Sequence, residues 1–479
     1  MNKKVVLITG HFNVLHPGHI RLFKFAREIG ARLIVAVESD RIAKSAAYVP
    51  ENLRLEGIVS NALVDEAFIA DCPVESVINK LKPDFVVKGK EHELKFNAEQ
   101  AAVDKYGGRL IFSSGEAFFS SVDILKREYQ GNQDININLP TEYLKRHELT
   151  FSELNNKVKE FQGLRTLVVG DLIVDEYITC EALGMSQEEP TIVVTPLGTE
   201  RYIGGAGIVA AHAAGLGASV NFITVTGDDS IKIFAEDELS KYGVRTLIIV
   251  DDTRPTTLKQ RYRSKGKSLL RVNHLHQSDI SSHIQGLILQ EIEDKIDSLD
   301  LIVLSDFNYG CLPQNLVDKI ISMASNSSVY IAADSQSSSQ VGDISRFKGV
   351  DLITPTEHEA RVSTRDRESG LVVLADRLKK ISNAKNILLK LGEEGLLIHS
   401  DLTEGENSWL TDKIEALNNS PRDVAGAGDS LLIVSAMTLA RGGNIWEAAF
   451  LGSLAASIQV SREGNRPLDF QNLSSFLKS

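Results

Sequence analysis

Cysteine is scarce in this chain. Only Cys72, Cys180 and Cys311 occur among 479 residues, far apart and with no C-x-x-C pair. An odd, scattered set builds no disulfide framework, so the expectation is buried, reduced thiols in a cytoplasmic protein. Long apolar runs are missing as well. None reaches the roughly 18 residues that span a bilayer, so no membrane partner is expected. The apolar run of MNKKVVLITGHF ends at Gly10-His11. It is too short for the apolar region of a signal peptide, and no small-residue cleavage site follows. Basic residues are outnumbered, 52 Lys and Arg against 64 Asp and Glu, for a net charge of −12. That balance argues against a nucleic-acid partner, whose grip rests on Lys and Arg contacts to phosphate. It leaves room for small anionic substrates in a locally basic cleft. The 12 Pro and 35 Gly are spread along the chain, which excludes low-complexity structure.

What is present is a globular pattern of some size. The length admits two or three domains. Short β-rich runs alternate with helical patterns: Val5–Thr9, Arg32–Val37 and Asp84–Lys88 in the first part, Leu164–Val169 after a pause. That alternation predicts βαβ units around a parallel sheet, an α/β fold. The polar stretch Gly131–Pro140 has no helical period and reads as a linker, and Tyr143–Phe161 follows as one charged amphipathic helix. The expected organisation is a domain over 1–131, a linker over 132–145 and a larger domain over 146–479. In the latter, Thr191–Pro196, Leu247–Asp251 and Thr256–Ser264 read as strands of a small sheet. The more apolar Leu301–Ser305, Val329–Ala333, Asp351–Thr354 and Asn386–Lys390 read as central strands buried on both faces.

Two short stretches carry chemistry. Thr9-Gly10-His11-Phe12-Asn13-Val14-Leu15-His16-Pro17-Gly18-His19 follows the first strand and opens a helical pattern. Pro17-Gly18 suits a helix entry. His16 and His19, three apart, share one helix face, and donors at a helix N-terminus suit a phosphate chain. Zinc would need further ligands at a recognisable spacing, and none is nearby. The second stretch is Asp423-Val424-Ala425-Gly426-Ala427-Gly428-Asp429-Ser430, before an apolar helical run. Its glycines let backbone N–H groups converge on an anion. Asp429 is placed either to take a proton from a hydroxyl or simply to cap the helix. Lys259, Arg261, Arg263, Lys265, Lys267 and Arg271 form a basic run, read either as a solvated strand face or as a sugar-phosphate clamp. His212 and His274 are read as structural or surface residues.

The first stretch resembles the G-x-F-D-x-x-H-x-G-H signature of the nucleotidyltransferase superfamily, with Asn13 in place of the Asp. The likeness covers about 1–130. It implies that His16 and His19 are catalytic and that Gly10, Phe12, Lys44, Lys88 (in Val87-Lys88-Gly89), Ser120 and Ser121 bind nucleotide or phosphate. Arg54 falls near an Arg of related enzymes. The second stretch is similar to the D-T-x-G-A-G-D signature of the ribokinase (phosphofructokinase-B) sugar kinases, over about 160–479. Asp429 is then the base, with Gly426, Ala427 and Gly428 as anion hole and Lys390 and Gly392 on the nucleotide side. Asp171, Asp175, Gly204, Gly205, Lys259 and Arg261 bind the sugar, and Glu359 holds the metal. GDLIVDEY, MSQEEP, RPTTLKQRY and LLRV look most like the heptose-phosphate kinases of that family.

Together the resemblances imply a Rossmann-like nucleotidyltransferase domain followed by a ribokinase-like three-layer α/β domain with a small β lid. The expected function is a sugar-phosphate kinase joined to a sugar-1-phosphate nucleotidyltransferase making a nucleoside-diphosphate sugar such as ADP-heptose for surface polysaccharide. The order is reversed from the usual pairing. ATP and Mg²⁺ are implied, with CTP the alternative for the first domain, and a homodimer through paired lids. Several family positions differ. Ile208 replaces an Asn of the substrate loop, Tyr309 a Lys in Asp306–Gly310, Gln336 a Lys in Asp334-Ser335-Gln336, and Thr356 an Asn before Glu359. These departures point to a changed sugar, ahead of an unchanged heptose phosphate or an active transferase whose kinase-like domain only binds sugar phosphate.

Overall fold

The computed structural model describes residues 4–15, 17–89, 97–113, 137–186, 188–189, 191–264, 267–336, 342–400 and 411–477. His16, Ser120, Ser121 and Lys265 lie outside them. The chain divides into two compact units, Met1–Asp134 and Ile135–Ser479.

The first unit is built on five strands, β1 (Val5–Gly10), β2 (Arg32–Glu38), β3 (Glu66–Ala70), β4 (Phe85–Gly89) and β5 (Arg109–Ser113). All pair in parallel, in the order β3-β2-β1-β4-β5. The order reverses at β1 and β4, the kind of switch point where ligands bind beyond the carboxyl ends of strands. β1 is buried on both faces. Val6 and Ile8 pack with Phe23 and Val35 on one side, and Leu7 packs with Ile34 and Ile78 on the other. The Gly-His stretch leaves the end of this central strand and leads into the helix Pro17–Ile29.

The second unit holds a nine-stranded sheet and a four-stranded one. The strands of the large sheet are β6 (Arg165–Gly170), β9 (Ser219–Thr226), β10 (Arg245–Val250), β13 (Leu301–Asp306), β14 (Tyr330–Ser335), β15 (Leu352–Ile353), β16 (Asn386–Lys390), β17 (Leu396–Ser400) and β18 (Thr411–Ile414). The order is β10-β9-β6-β13-β14-β15-β16-β17-β18. Pairing is parallel up to β16 and antiparallel for the last two strands. Helices cover both faces. Ala206–Gly215, Ala427–Ala440 and Ile445–Val460 are buried in one core, and Ser282–Glu293 and Gln314–Asn326 in the other. The small sheet is β12-β11-β7-β8, from β7 (Leu172–Met185), β8 (Ile192–Gly205), β11 (Thr257–Ser264) and β12 (Lys267–His274).

Three expectations are corrected. The stretch Leu247–Asp251, assigned to the small sheet because it alternates, is β10, the edge of the large sheet. One-sided exposure at an edge produces the same alternation. The segment 137–145, expected as linker, belongs to the second unit. Tyr143 is buried, and its hydroxyl donates to the Trp446 carbonyl at 2.9 Å. The single helix expected over Tyr143–Phe161 is two, Thr141–Arg146 and Phe151–Lys159. Glu148 at positive φ breaks the run, and Thr150 and Glu153 close a capping box that restarts it. No described helix is long and apolar enough to cross a membrane.

Candidate functional site

In the first unit the signature loop is fixed by two side chains. Asn13 is buried. Its Oδ1 accepts from the backbone N–H of Tyr48 at 2.7 Å, and its Nδ2 donates to the Ala46 carbonyl at 2.8 Å. An aspartate could accept in this way but not donate, so the amide at this position ties the loop carrying Lys44 to the loop carrying Gly10 and His11. Among the described residues Arg54 is the largest fully buried side chain. It donates to the carbonyls of His11 (2.6 Å) and Val49 (2.7 Å) and to Asp40 (2.6 Å). Phe12 and Lys44 lie at φ of 51° and 50°, rare for such side chains and held here by those ties. Arg54→Ala strands two carbonyls and is expected to lower the stability of this unit by about 2–3 kcal/mol. Urea unfolding followed by a probe in this unit checks it; an unchanged midpoint would mean the ties are dispensable.

His19 sits on the helix Pro17–Ile29, its ring 5.1 Å from that of Phe12. Two expected nucleotide ligands have other occupations. The Phe12 ring belongs to the core, beside Phe23 and against Gly10, where an added Cβ would lie 3.3 Å from it. Only the Phe12 backbone is left to line the loop. Lys88 pairs with the buried Glu99 at 2.7 Å. Lys44 is exposed. A residue not anticipated is Glu38, at the end of β2. It lies 3.1 Å from His11 Nδ1, whose hydrogen bond holds its carboxyl below the ordinary value.

In the second unit the chemistry gathers at the carboxyl ends of β6, β13, β14 and β16. Asp429 stands in the first turn of the helix Ala427–Ala440, preceded by Gly426 at φ 74°. It is buried, and burial followed by the charge of Asp334 pushes its carboxyl up to about 7. Lys390, at the end of β16, donates to Asp334 at 2.8 Å. Its ammonium is 3.3 Å from where a Cβ on Gly428 would stand, so a side chain there would crowd the lysine. Burial would lower the Lys390 ammonium, but Asp334, Glu359 and Asp429 outweigh it and hold it charged. Gly392 opens the turn after β16 at φ 63°.

Asp175, on β7, is buried, and burial raises its carboxyl against the pull of Arg261 and Lys259. Arg261 reaches it at 3.3 Å. Gly204 lies on β8, paired with Ile173 and diagonal to Asp175. A Cβ there would come within 2.5 Å of Asp175 Oδ2, which explains a glycine at this position. Gly205, at φ 59°, ends β8 and leads into the helix Ala206–Gly215. Lys259 lies over the rings of Phe307 and Tyr309, at 5.5 and 5.2 Å. Position 309 thus supplies an aromatic seat for a lysine arriving from β11.

Other expectations shift. Asp171 was grouped with Asp175 as a sugar ligand. Its Oδ2 instead accepts the N–H groups of Phe307 (2.8 Å) and Tyr309 (3.3 Å), and its Oδ1 that of Cys311 (3.2 Å). It shapes the 307–311 loop. Ile208 is fully buried in the core, so an amide there would not face a sugar. An amide does reach Asp175, from Asn465, whose Nδ2 lies 3.5 Å from Oδ2. Glu359 closes a capping box with Thr356, its Oε2 accepting from the Thr356 N–H at 2.7 Å. Among the described residues no three His, Cys, Asp or Glu side chains form a metal cage. His212 is buried and accepts from the Leu468 N–H at 3.0 Å, a structural role.

Residues 164–470 match the model of the pfkB family of carbohydrate kinases, most of the chain. The chain belongs to that family. Residues 7–127 match the cytidylyltransferase-like family. The second unit has the fold of ribokinase from Thermotoga maritima (TM-score 0.51, 20% identity, 66% of this chain and 100% of that one). Phosphofructokinase-2 of Escherichia coli shares it as well (TM-score 0.53, 15% identity, 66% and 100%). Curated relatives include the bifunctional protein HldE of Desulfatibacillum aliphaticivorans, 31% identical over 326 residues, 67% of this chain and 64% of that protein. HldE of Nitratiruptor sp. is 30% identical over 318 residues, 66% and 65%. The match thus spans just under two thirds of these relatives' length.

Proposed function

We propose that this pfkB-family chain carries out two successive transfers. In the kinase unit Asp429 takes the proton of a sugar hydroxyl. The freed oxygen bonds to the γ-phosphorus of ATP, the bond to the β-phosphate oxygen breaks, and ADP leaves. Gly426, Ala427 and Gly428 offer backbone donors to the transferring group. Lys390 adds a positive charge beside them. Asp175, with Gly204 giving it room and Arg261 and Lys259 near it, holds the sugar. Mg²⁺ arrives with ATP, since it binds through substrate phosphates and needs only one or two carboxylates. Glu359, beside Lys390 and Asp334 in the electrostatics of the pocket, is the carboxylate proposed to face it. The substrate is a heptose phosphate or a related sugar phosphate, its phosphate met by Lys259 and Arg261.

The product of a sugar phosphate is a bisphosphate, so a separate phosphatase must remove the original phosphate. In the first unit an oxygen of the remaining 1-phosphate then attacks the α-phosphorus of ATP (or CTP), and pyrophosphate leaves. His16 and His19 stabilise the phosphates under attack, with Lys44 at the rim and Ser120 and Ser121 on the nucleotide. The observation that carries the reading is Asp429. A carboxylate buried at a glycine-rich helix start, beside a lysine and facing the Asp175 pocket, has the poise of a general base. A rival reading, a kinase-like domain that only binds sugar phosphate, drew on the losses at Ile208 and Tyr309. The amide of Asn465 and the ammonium of Lys259 lie near Asp175 and weaken that motive.

The test incubates the protein with MgATP, CTP and a panel of sugars and sugar 7-phosphates, with mass spectrometry of products. A bisphosphate is expected from a sugar 7-phosphate, and a nucleoside-diphosphate sugar when the sugar 1-phosphate is supplied. Product only from added sugar 1-phosphate would favour the rival. The homodimer is proposed to form through the small sheet, where Leu183, Met185, Ile192, Leu197 and Leu270 are all more than half exposed. Leu183→Glu with Leu197→Glu is expected to halve the mass seen by light scattering; unchanged mass would reject this surface.

A further inference from the structure

Gln336 is the first residue after β14, where the family resemblance has a lysine. Its side-chain Nε2 donates to Asp429 Oδ1 at 3.0 Å. Its backbone is fixed on both sides: the N–H donates to the Asp306 carbonyl at 2.9 Å, and the carbonyl accepts from Asn308 Nδ2 at 3.0 Å. The amide is therefore held against one oxygen of the base. It leaves the other oxygen as the proton acceptor.

Asp429 is surrounded by charge from several elements. Asp334 on β14 and Asp175 on β7 face it as like charges, and Lys390 on β16 and Lys259 on β11 as opposite ones. Glu359 acts on Asp334 and Lys390 from the helix Glu357–Thr364. Lys390 is already paired with Asp334. A second lysine at 336 would pair with the base itself and lower its proton affinity. A neutral amide orients it while leaving its proton affinity high, about 7.

We infer that Gln336 is the positioning residue of Asp429, orienting the carboxylate through one neutral hydrogen bond so that its other oxygen is left to accept the sugar proton. This rests on Asp429 being the base. The residue acts through Asp429 and touches no substrate in this scheme.

The experiment reads Asp429 directly. The whole protein carries ¹³C-carboxyl aspartate, and the Asp429 resonance is assigned by its loss in Asp429→Asn. Wild type, Gln336→Leu and Gln336→Lys are titrated without substrate. The midpoint is expected to rise by about one pH unit in Gln336→Leu, which loses a hydrogen bond to the charged form. It is expected to fall by at least as much in Gln336→Lys, through the added opposite charge. Three coincident midpoints would overturn the inference. In parallel, kcat with MgATP and heptose 7-phosphate is expected to fall about tenfold at pH 6.5 in Gln336→Leu, with KM for ATP unchanged. If Asp429→Asn keeps full turnover while the titrations shift as expected, the base assignment fails and the Gln336–Asp429 coupling stands.

Discussion

Asp429→Asn is expected to slow phosphoryl transfer by about a thousandfold, within the range general-base removal produces. ATP binding should be untouched, because the backbone donors of Gly426, Ala427 and Gly428 remain. The measurement is kcat with MgATP and the sugar-phosphate panel, beside an ATP-binding isotherm. Retention of more than a tenth of the wild-type rate would remove Asp429 from the mechanism. The same residue sets a pH dependence. Its carboxyl is held near 7 in the folded state, against an ordinary value close to 4. The base works only when ionised, so the rate should rise with pH through about 7. Stability runs the other way. The folded state keeps the proton that the unfolded chain has already lost, so the stability of the protonated form is complete below about pH 4. It is lost as pH rises through 7, by about 4 kcal/mol for this residue if nothing relaxes. Asp429→Asn should therefore unfold later than wild type at pH 8 and show no such gain at pH 4. Equal midpoints at pH 8 would mean the burial cost is offset by Lys390.

His19→Asn is expected to lower nucleotidyl transfer by about a hundred- to a thousandfold, the cost of removing one donor from charge developing on phosphate. It should leave the kinase rate unchanged. Pyrophosphate release from ATP and from CTP, with sugar 1-phosphate supplied, reads the first effect. The faster nucleotide also decides the donor. A loss of less than threefold would return His19 to a packing role beside Phe12. Asparagine keeps a polar side chain near that ring, and a melting curve separates lost chemistry from lost packing.

The buried strands were legible because their runs are apolar on both faces. Val5–Thr9, Leu301–Ser305 and Asn386–Lys390 lie within or along β1, β13 and β16. The two 14-residue strands of the small sheet were not read in full. β7 begins as a buried apolar run, then turns polar and exposed where it leaves the core, so no single period describes it. Asp171 and Asp175 share one motif and looked alike. They differ through partners 136 to 140 residues away on the 307–311 loop, which no local pattern encodes. Gln336 and Asn465 were hidden for the same reason. Gln336 appeared only as a missing lysine, and Asn465 carries no motif and reaches Asp175 from 290 residues away. Asn13 could have been read further, since replacing an acceptor-only side chain by one that also donates signals a carbonyl nearby.

The helix Thr141–Arg146 and the His147 that follows it are bolted into the second unit by Tyr143 on Trp446 and by Arg146 and His147 on Asp412. A recombinant fragment beginning at 146 would keep Arg146 and His147 on Asp412 but lose Tyr143, leaving the Trp446 carbonyl without its buried partner. Any exchange of the front half for another transferase, by an engineer or in the course of evolution, has its seam upstream of residue 137. A chimera cut there should inherit a complete kinase, whereas one cut ten residues later should inherit an open wound.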